Sequence, residues 1–144
     1  MKNFFFAIFV YIILFSSSNS IANTKKSYFG EGKKLFDNKN YKDSKFYFEK
    51  DIVFNPKNEN SYLYLAKIFN EEQNDSLEEN NLNTVLLLNP KNEEAIYLLT
   101  LLNIKNSNFS KAKELIANLI LVCKKMCSSK LELQSKLDSA LSSE

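Results

Sequence analysis

The chain has 144 residues, with 19 basic residues against 17 acidic ones and no histidine. A net charge of +2 without a concentrated basic stripe argues against a nucleic-acid partner. Because histidine is the commonest general base and metal ligand, its absence also argues against an enzyme and against a bound metal. The only glycines, Gly30 and Gly32, do not form a phosphate-binding loop, and we expect no cofactor.

Residues 1–22 differ in composition from everything that follows. Lys2 gives a positive start, residues 4–15 form an unbroken apolar run, and Ser20-Ile21-Ala22 places small residues at both positions of a cleavage-site pattern. Since a membrane span needs about 20 apolar residues, we expect a secretory signal peptide that is cleaved after Ala22. The mature protein would then be periplasmic or secreted. The alternative is a retained anchor, which would be the only part of the chain to contact a membrane.

The rest of the chain predicts helices, because apolar side chains recur mainly at three- and four-residue steps. We expect three pairs of helices and then a single one. The predicted ranges are 26–38 with 41–54, 59–71 with 76–88, 93–105 with 109–122, and finally 129–141.

The pentapeptide from Asn55 to Glu59 recurs letter for letter from Asn89 to Glu93. Its proline prevents the preceding helix from continuing, and its second asparagine can cap the next helix. Its glutamate falls in the first turn of that helix, where negative charge is favourable. We therefore interpret the pentapeptide as a structural turn and not as a ligand site.

The two copies of this turn define a 34-residue step, which extends well beyond them. The aligned columns are Tyr28, Tyr62 and Ile96; Glu31, Leu65 and Leu99; Gly32, Ala66 and Thr100; Leu35, Phe69 and Asn103; Ser44, Glu78 and Ala112; Phe48, Leu82 and Ile116; and Pro56 and Pro90. This order of large, small and aromatic residues resembles the tetratricopeptide repeat over roughly residues 25–124. Glu31, Glu78 and Asn103 depart from the pattern, and Glu78 in particular must reach water or find a partner.

The resemblance implies an all-α fold, a right-handed α-α superhelix of three helical hairpins with a C-terminal capping helix. The units would cover residues 25–58, 59–92 and 93–124. Residues 125–144 would form the capping helix, which covers the apolar side of the last hairpin with Leu131, Leu133, Leu137 and Leu141.

Cys123 and Cys127 are the only cysteines. Their spacing does not match a C-x-x-C redox motif, and no histidine or further cysteine completes a zinc site. In an oxidising compartment we expect a disulfide across this short interval. Two free cysteines in the core, or a metal or redox role, are the alternatives.

The resemblance also implies a concave groove formed by the first helix of each hairpin, in which a peptide or protein partner binds. Mapped by register, its residues are Phe29, Lys33, Phe36, Leu63, Lys67, Asn70, Tyr97, Leu101 and Ile104. The alternative for the apolar members is that they pack in the core. The cation set with which some tetratricopeptide proteins grip a C-terminal carboxylate is missing, because Tyr64 and Glu94 occupy two of its places.

Together these features predict an exported protein-interaction module without catalytic activity. The alternative function is that of a structural or assembly component of an envelope complex, acting through self-association of the array.

Overall fold

The computed structural model describes residues 27–142, which form seven α-helices and no strand. The predicted leader and its cleavage site lie outside the described residues. The helices are α1 (Tyr28–Asp37), α2 (Tyr41–Phe54), α3 (Glu59–Glu71), α4 (Asp75–Leu88), α5 (Glu93–Lys105), α6 (Phe109–Val122) and α7 (Ser129–Leu141). Five of the seven have the predicted bounds; α1 starts two residues late and ends one early, and α4 starts one residue early. Within residues 27–142, no helix is long and apolar enough to cross a membrane.

The helices that follow the repeated pentapeptide, α3 and α5, begin with side-chain caps, as the pentapeptide predicted. The Asn58 side chain accepts a hydrogen bond from the backbone N–H of Asn60, and Asn92 accepts one from Ala95. Both prolines lie between a finished helix and the next cap. In the turn within each hairpin, one residue adopts a left-handed backbone conformation: Lys39, Gln73 and Ser107 have φ between 56° and 60°. These left-handed residues recur at the same step as the rest of the repeat, and none is glycine.

Consecutive helices form three hairpins, α1 with α2, α3 with α4, and α5 with α6, and α7 packs on the last hairpin. The first hairpin is tightly closed at Gly32. A Cβ atom there would lie 2.8 Å from the ring of Phe48, and the Ser44 hydroxyl donates a buried hydrogen bond to the Gly32 carbonyl at 2.8 Å. The small residue that the repeat places in this column is therefore required by the packing.

The core has two parts, one on each side of α3. The first cluster joins Phe48 of α2 to Leu65, Ile68 and Phe69 of α3. The second cluster is larger and extends through the other hairpins to α7; its buried members are Leu63, Ala66, Leu82, Val85, Ala95, Ile96, Leu99, Leu102, Ala112, Leu115, Ile116, Leu119, Leu133 and Leu137. Helix α3 thus contributes to both clusters and links the hairpins.

Two of the three residues that depart from the repeat are buried with polar partners. Glu78, 2% exposed, accepts a hydrogen bond from the Asn70 side chain at 3.0 Å. Asn103 donates to the Leu99 carbonyl at 2.8 Å within its own helix. The sequence required a partner for a buried Glu78, and the structure identifies Asn70 as that partner.

Each turn between hairpins is held by a carboxylate of a neighbouring helix. Buried Asp51 accepts hydrogen bonds from the side chains of Asn55, Asn58 and Ser61 around the first turn. Glu59 does the same for the second turn, through the Asn89 and Asn92 amides. At the third turn, a disulfide joins Cys123 to Cys127, with 5.2 Å between their Cα atoms.

Candidate partner-binding surface

Helices α1, α3, α5 and α7 occupy equivalent places in the array. The register of the repeat continues into α7, where Leu133 follows Leu65 and Leu99, and all three are buried. We use the name inner face for Phe29, Lys33 and Phe36 of α1, Tyr64 and Lys67 of α3, and Tyr97, Leu101 and Ile104 of α5. Contacts between successive helices of this series join Phe29 and Phe36 to Tyr64, and Lys67 to Glu94. Leu101 and Ile104 are included because they have the register of Lys33 and Phe36.

Tyr64 is the centre of the inner face. The ring of Phe36 meets it edge-on at 5.0 Å between centroids, Phe29 does so at 5.7 Å, and Phe48 stacks on it from below at 5.1 Å. Phe29, Phe36 and Tyr64 all remain partly exposed. The result is an aromatic patch that is packed on one side and keeps part of its ring surface exposed, the kind of surface on which an apolar side chain gains contact area.

The two predicted cations flank this aromatic patch, and each already has an acidic partner. Lys33 makes an ion pair with Asp37 at 2.7 Å; the hydrogen bond from this pair, and then the nearby Tyr64 hydroxyl, raise the pKa of Lys33. Lys67 lies over the Tyr64 ring at 4.7 Å and pairs with Glu94 of α5 at 2.6 Å. Neither lysine is therefore free to bind a terminal carboxylate without losing a partner.

The α5 part of the inner face is apolar. Leu101 and Ile104 are partly buried against the second cluster and keep part of their surface exposed. The Tyr97 hydroxyl donates to Glu132 of α7 at 2.9 Å; burial first, and then this carboxylate, raise the pKa of Tyr97. Tyr97 is thus partly buried and joins α5 to the capping helix α7.

Two predicted groove residues have a different role. Leu63 is 4% exposed and belongs to the second cluster, which corrects the expectation that it lies on an open surface. The physical reason is that Leu63 packs in the cluster that α3 shares with the later hairpins, whereas Phe29, at the same register, keeps part of its surface exposed beside Tyr64. Asn70 is exposed but directs its amide to Glu78.

Sequence reasoning missed two members of this surface. From the sequence, Tyr64 counts only as an obstacle to carboxylate binding, although its register lies one position after that of Phe29 and could have indicated contact between successive helices. Leu131 of α7 was expected to cover the last hairpin, but it is 74% exposed, whereas Leu133 and Leu137 are fully buried. Leu131 has the register of Phe29, Leu63 and Tyr97, and no later helix of the described part covers it. It therefore extends the inner face at its open end.

The inner face combines apolar side chains with charges that are already paired. Its lysines are paired with carboxylates, and among residues 27–142 there is no group of histidine, cysteine or acidic side chains that could hold a metal ion. What remains is a row of partly exposed aromatic and aliphatic side chains between paired charges.

No known family model matches the chain, and no curated protein is similar to it in sequence. Solved structures do resemble it. The first TPR domain of Spaghetti (RPAP3), bound to the HSP90 peptide SRMEEVD, superposes with a TM-score of 0.71 at 17% identity, covering 80% of this chain and 90% of that one.

Two further structures give the same result. The Yersinia enterocolitica type III secretion chaperone SycD, in complex with a peptide of the translocator YopD, has a TM-score of 0.71 at 13% identity and covers 88% of this chain and 100% of its own. The Sgt2 TPR domain from Aspergillus fumigatus has a TM-score of 0.66 at 17% identity, with 80% coverage of both chains. The chain therefore has the tetratricopeptide-repeat fold, as its period predicted.

Proposed function

We propose that this protein is an exported interaction module that binds an apolar segment of an envelope protein on its inner face. The observation that most supports this is the aromatic patch around Tyr64, in which the rings of Phe29, Phe36 and Tyr64 pack beside the buried Phe48 ring and remain partly exposed. A peptide side chain placed there would bury apolar surface without any reorganisation of the array.

The similar structures support the general class of function. One holds an HSP90 peptide and another a peptide of a translocator. The chemistry of the ligand is inferred from this chain alone. Lys33 and Lys67 are already neutralised by Asp37 and Glu94, so a strongly acidic ligand would have to displace a carboxylate. An apolar or weakly acidic segment, extended or helical, fits this surface better.

Export is proposed from the leader, whose apolar run and small residues before Asn23 match a secretory signal. Mass spectrometry of the protein purified from its own cells gives the test. A mature N-terminus at Asn23 is expected, and a chain that still begins at Met1 would contradict the proposal.

Partner binding can be tested by placing a photo-crosslinking amino acid at Tyr64 or at Leu131, with Phe46 of α2 as control. Phe46 is 58% exposed and lies away from the inner face. We expect both inner-face positions to give the same adduct in the producing cell and Phe46 to give none. Equal adducts at all three positions would indicate non-specific contact and count against this function.

Leu131→Glu then measures the contribution of the surface, with Phe46→Glu as the matched control. Both sites are exposed, so both variants should fold. We expect the Leu131 variant to bind a peptide from the crosslinked partner at least tenfold more weakly, about 1.4 kcal/mol, and the control to bind normally. If Leu131→Glu instead dissociates an oligomer of the chain, as seen by analytical ultracentrifugation, the assembly role replaces the proposed one.

A further inference from the structure

A second repeated surface lies where the second helix of each hairpin ends. Val53, Leu87 and Leu121 occupy the same repeat position in α2, α4 and α6, and their exposed fractions are 76%, 82% and 84%. Single exposed apolar residues are common on proteins, but stacked hairpins place equivalent positions side by side, so these three form a row. Phe54, which is 62% exposed, adjoins the first of them.

A lysine follows each of the three apolar residues by four positions: Lys57, Lys91 and Lys125. All three are exposed, and none has its ammonium group in an ion pair within residues 27–142. Lys57 and Lys91 belong to the repeated pentapeptide, yet the turn uses only the asparagines, the proline and the glutamate. The turn geometry therefore does not account for these lysine side chains. We call the three apolar residues, Phe54 and the three lysines the turn edge.

Two acidic residues at these turns, Glu59 and Glu93, are directed into the turns. Glu59 accepts hydrogen bonds from the Asn89 and Asn92 side chains at 2.7 and 3.3 Å. Glu93 accepts from three successive backbone N–H groups, the nearest being that of Met126 at 2.6 Å. Both glutamates are partly buried, whereas the lysines are exposed. At the turns themselves, the lysines are therefore more exposed than the glutamates.

The chain also enters the described structure at this edge. The ring of Tyr28, the first residue of α1, stacks on Phe54 with 5.3 Å between centroids. Tyr28 thus adds aromatic surface beside Phe54 at the same edge.

We propose that the turn edge docks on the surface of a bilayer containing anionic phospholipids. Val53, Leu87 and Leu121 enter the boundary between headgroups and acyl chains, and Lys57, Lys91 and Lys125 contact lipid phosphates. Apolar residues and cations on one face are the combination that binds proteins to anionic membranes. A second copy is a poorer occupant, because two such edges in contact would bring their lysines together. The sequence predicted membrane contact only through an uncleaved leader, so this contact is an additional one.

The test is flotation of residues 23–144 with phosphatidylglycerol-containing vesicles and with pure phosphatidylcholine vesicles. This segment contains both core clusters and every described helix, so it folds without the leader. We expect binding to the anionic vesicles and little to the neutral ones.

Replacing Lys57, Lys91 and Lys125 with glutamine should lower the partition coefficient about a hundredfold, since each lysine near an anionic surface contributes roughly a factor of five. Replacing Val53, Leu87 and Leu121 with serine should lower it at least tenfold. The matched control replaces Lys34, Lys42 and Lys113 with glutamine, which removes the same charge from positions away from the turn edge, and should change partition less than threefold.

Three results would overturn the proposal. The turn-edge lysine variant and the control lysine variant could lose binding equally, the protein could bind neutral vesicles as well as anionic ones, or neither turn-edge variant could lose binding. A turn-edge variant that lowers the sedimenting mass while vesicle binding persists would assign the surface to self-association instead. If the triple serine variant loses its helical circular dichroism, Leu87→Ser alone provides the same comparison at one highly exposed site.

Discussion

The packing of α1 against α2 can be tested by comparing two glycines of the same helix. Gly30 and Gly32 are the only glycines in the chain, and both lie in α1. At Gly32, a new Cβ would lie 2.8 Å from two atoms of the Phe48 ring and 3.2 Å from a third. At Gly30, the nearest side-chain atom is the Ser27 Cβ at 3.6 Å, an ordinary contact. The same substitution should therefore have opposite effects at the two positions.

Alanine in place of glycine stabilises a helix interior by about 1 kcal/mol, and by less in the first turn, where Gly30 lies. Gly30→Ala should thus raise the free energy of unfolding by about 0.5 kcal/mol. At Gly32 the added methyl must displace Phe48, which is fully buried and packed against Phe29 and Tyr64. Overpacking of this kind costs about 1–3 kcal/mol. After subtraction of the helix gain, Gly32→Ala should lower stability by about 1 kcal/mol.

Urea denaturation monitored by circular dichroism measures both values, and the expected difference between the two variants is about 1.5 kcal/mol. Phe48→Leu in the Gly32→Ala background should recover part of the loss, because it removes the ring that the methyl meets. If both alanine variants are stabilised equally, the first hairpin is not closed at Gly32 as described. Because the Phe48 ring supports Tyr64, Gly32→Ala should also weaken partner binding, which a crosslinking yield would show.

Three further predictions concern single side chains. Gln73→Gly should raise the free energy of unfolding by about 0.5–1 kcal/mol in urea denaturation, because residue 73 has φ 56° and glycine adopts that conformation without strain. A loss of stability would contradict the left-handed conformation at this turn. Burial raises the pKa of Glu78 above 4.5, despite the hydrogen bond from Asn70. The stability that Glu78 contributes is thus present below its unfolded pKa and is lost as pH rises through its folded pKa. The melting temperature of Glu78→Gln should therefore rise relative to that of the wild type between pH 4 and pH 7. Parallel profiles of melting temperature against pH would refute this. For Asp51, burial acts to raise the pKa, but hydrogen bonds from Ser61, Asn58 and Asn55 outweigh it and lower the pKa below 3.8. The stability that Asp51 contributes is present above its unfolded pKa and is lost as pH falls through its folded pKa. Asp51→Ala should therefore lower the free energy of unfolding by about 2 kcal/mol at pH 7 and by less at pH 3, as denaturation curves would show. An equal loss at both pH values would count against an ionised Asp51.

The inner face shows which parts of a binding surface a repeat pattern can predict. Register alone assigned Phe29, Phe36, Leu101 and Ile104 to the first helices of successive hairpins, and these side chains are partly exposed there. The same register assigned Leu63, which is buried. The pattern cannot distinguish these cases, because exposure at this position depends on which residue of the next helix lies over it.

Glu78 and Asp51 illustrate a second limit. Both occupy positions where the repeat places apolar or small residues, and both are buried. The sequence shows that a carboxylate there needs partners, but Asn70 is eight residues from Glu78, and the partners of Asp51 lie four to ten residues ahead of it. Which of several nearby polar side chains is chosen depends on how the helices pack.

The sequence by itself determined the helices, their turns and the repeat, because the signals for these are local: apolar spacing, proline, asparagine caps and a constant interval between equivalent positions. The tertiary structure decided which residues of that repeat are exposed. It buried Leu63, left Leu131, Val53, Leu87 and Leu121 in contact with solvent, and made Tyr64 the centre of the inner face. Exposure is a property of the space between helices, and only the packed array defines that space.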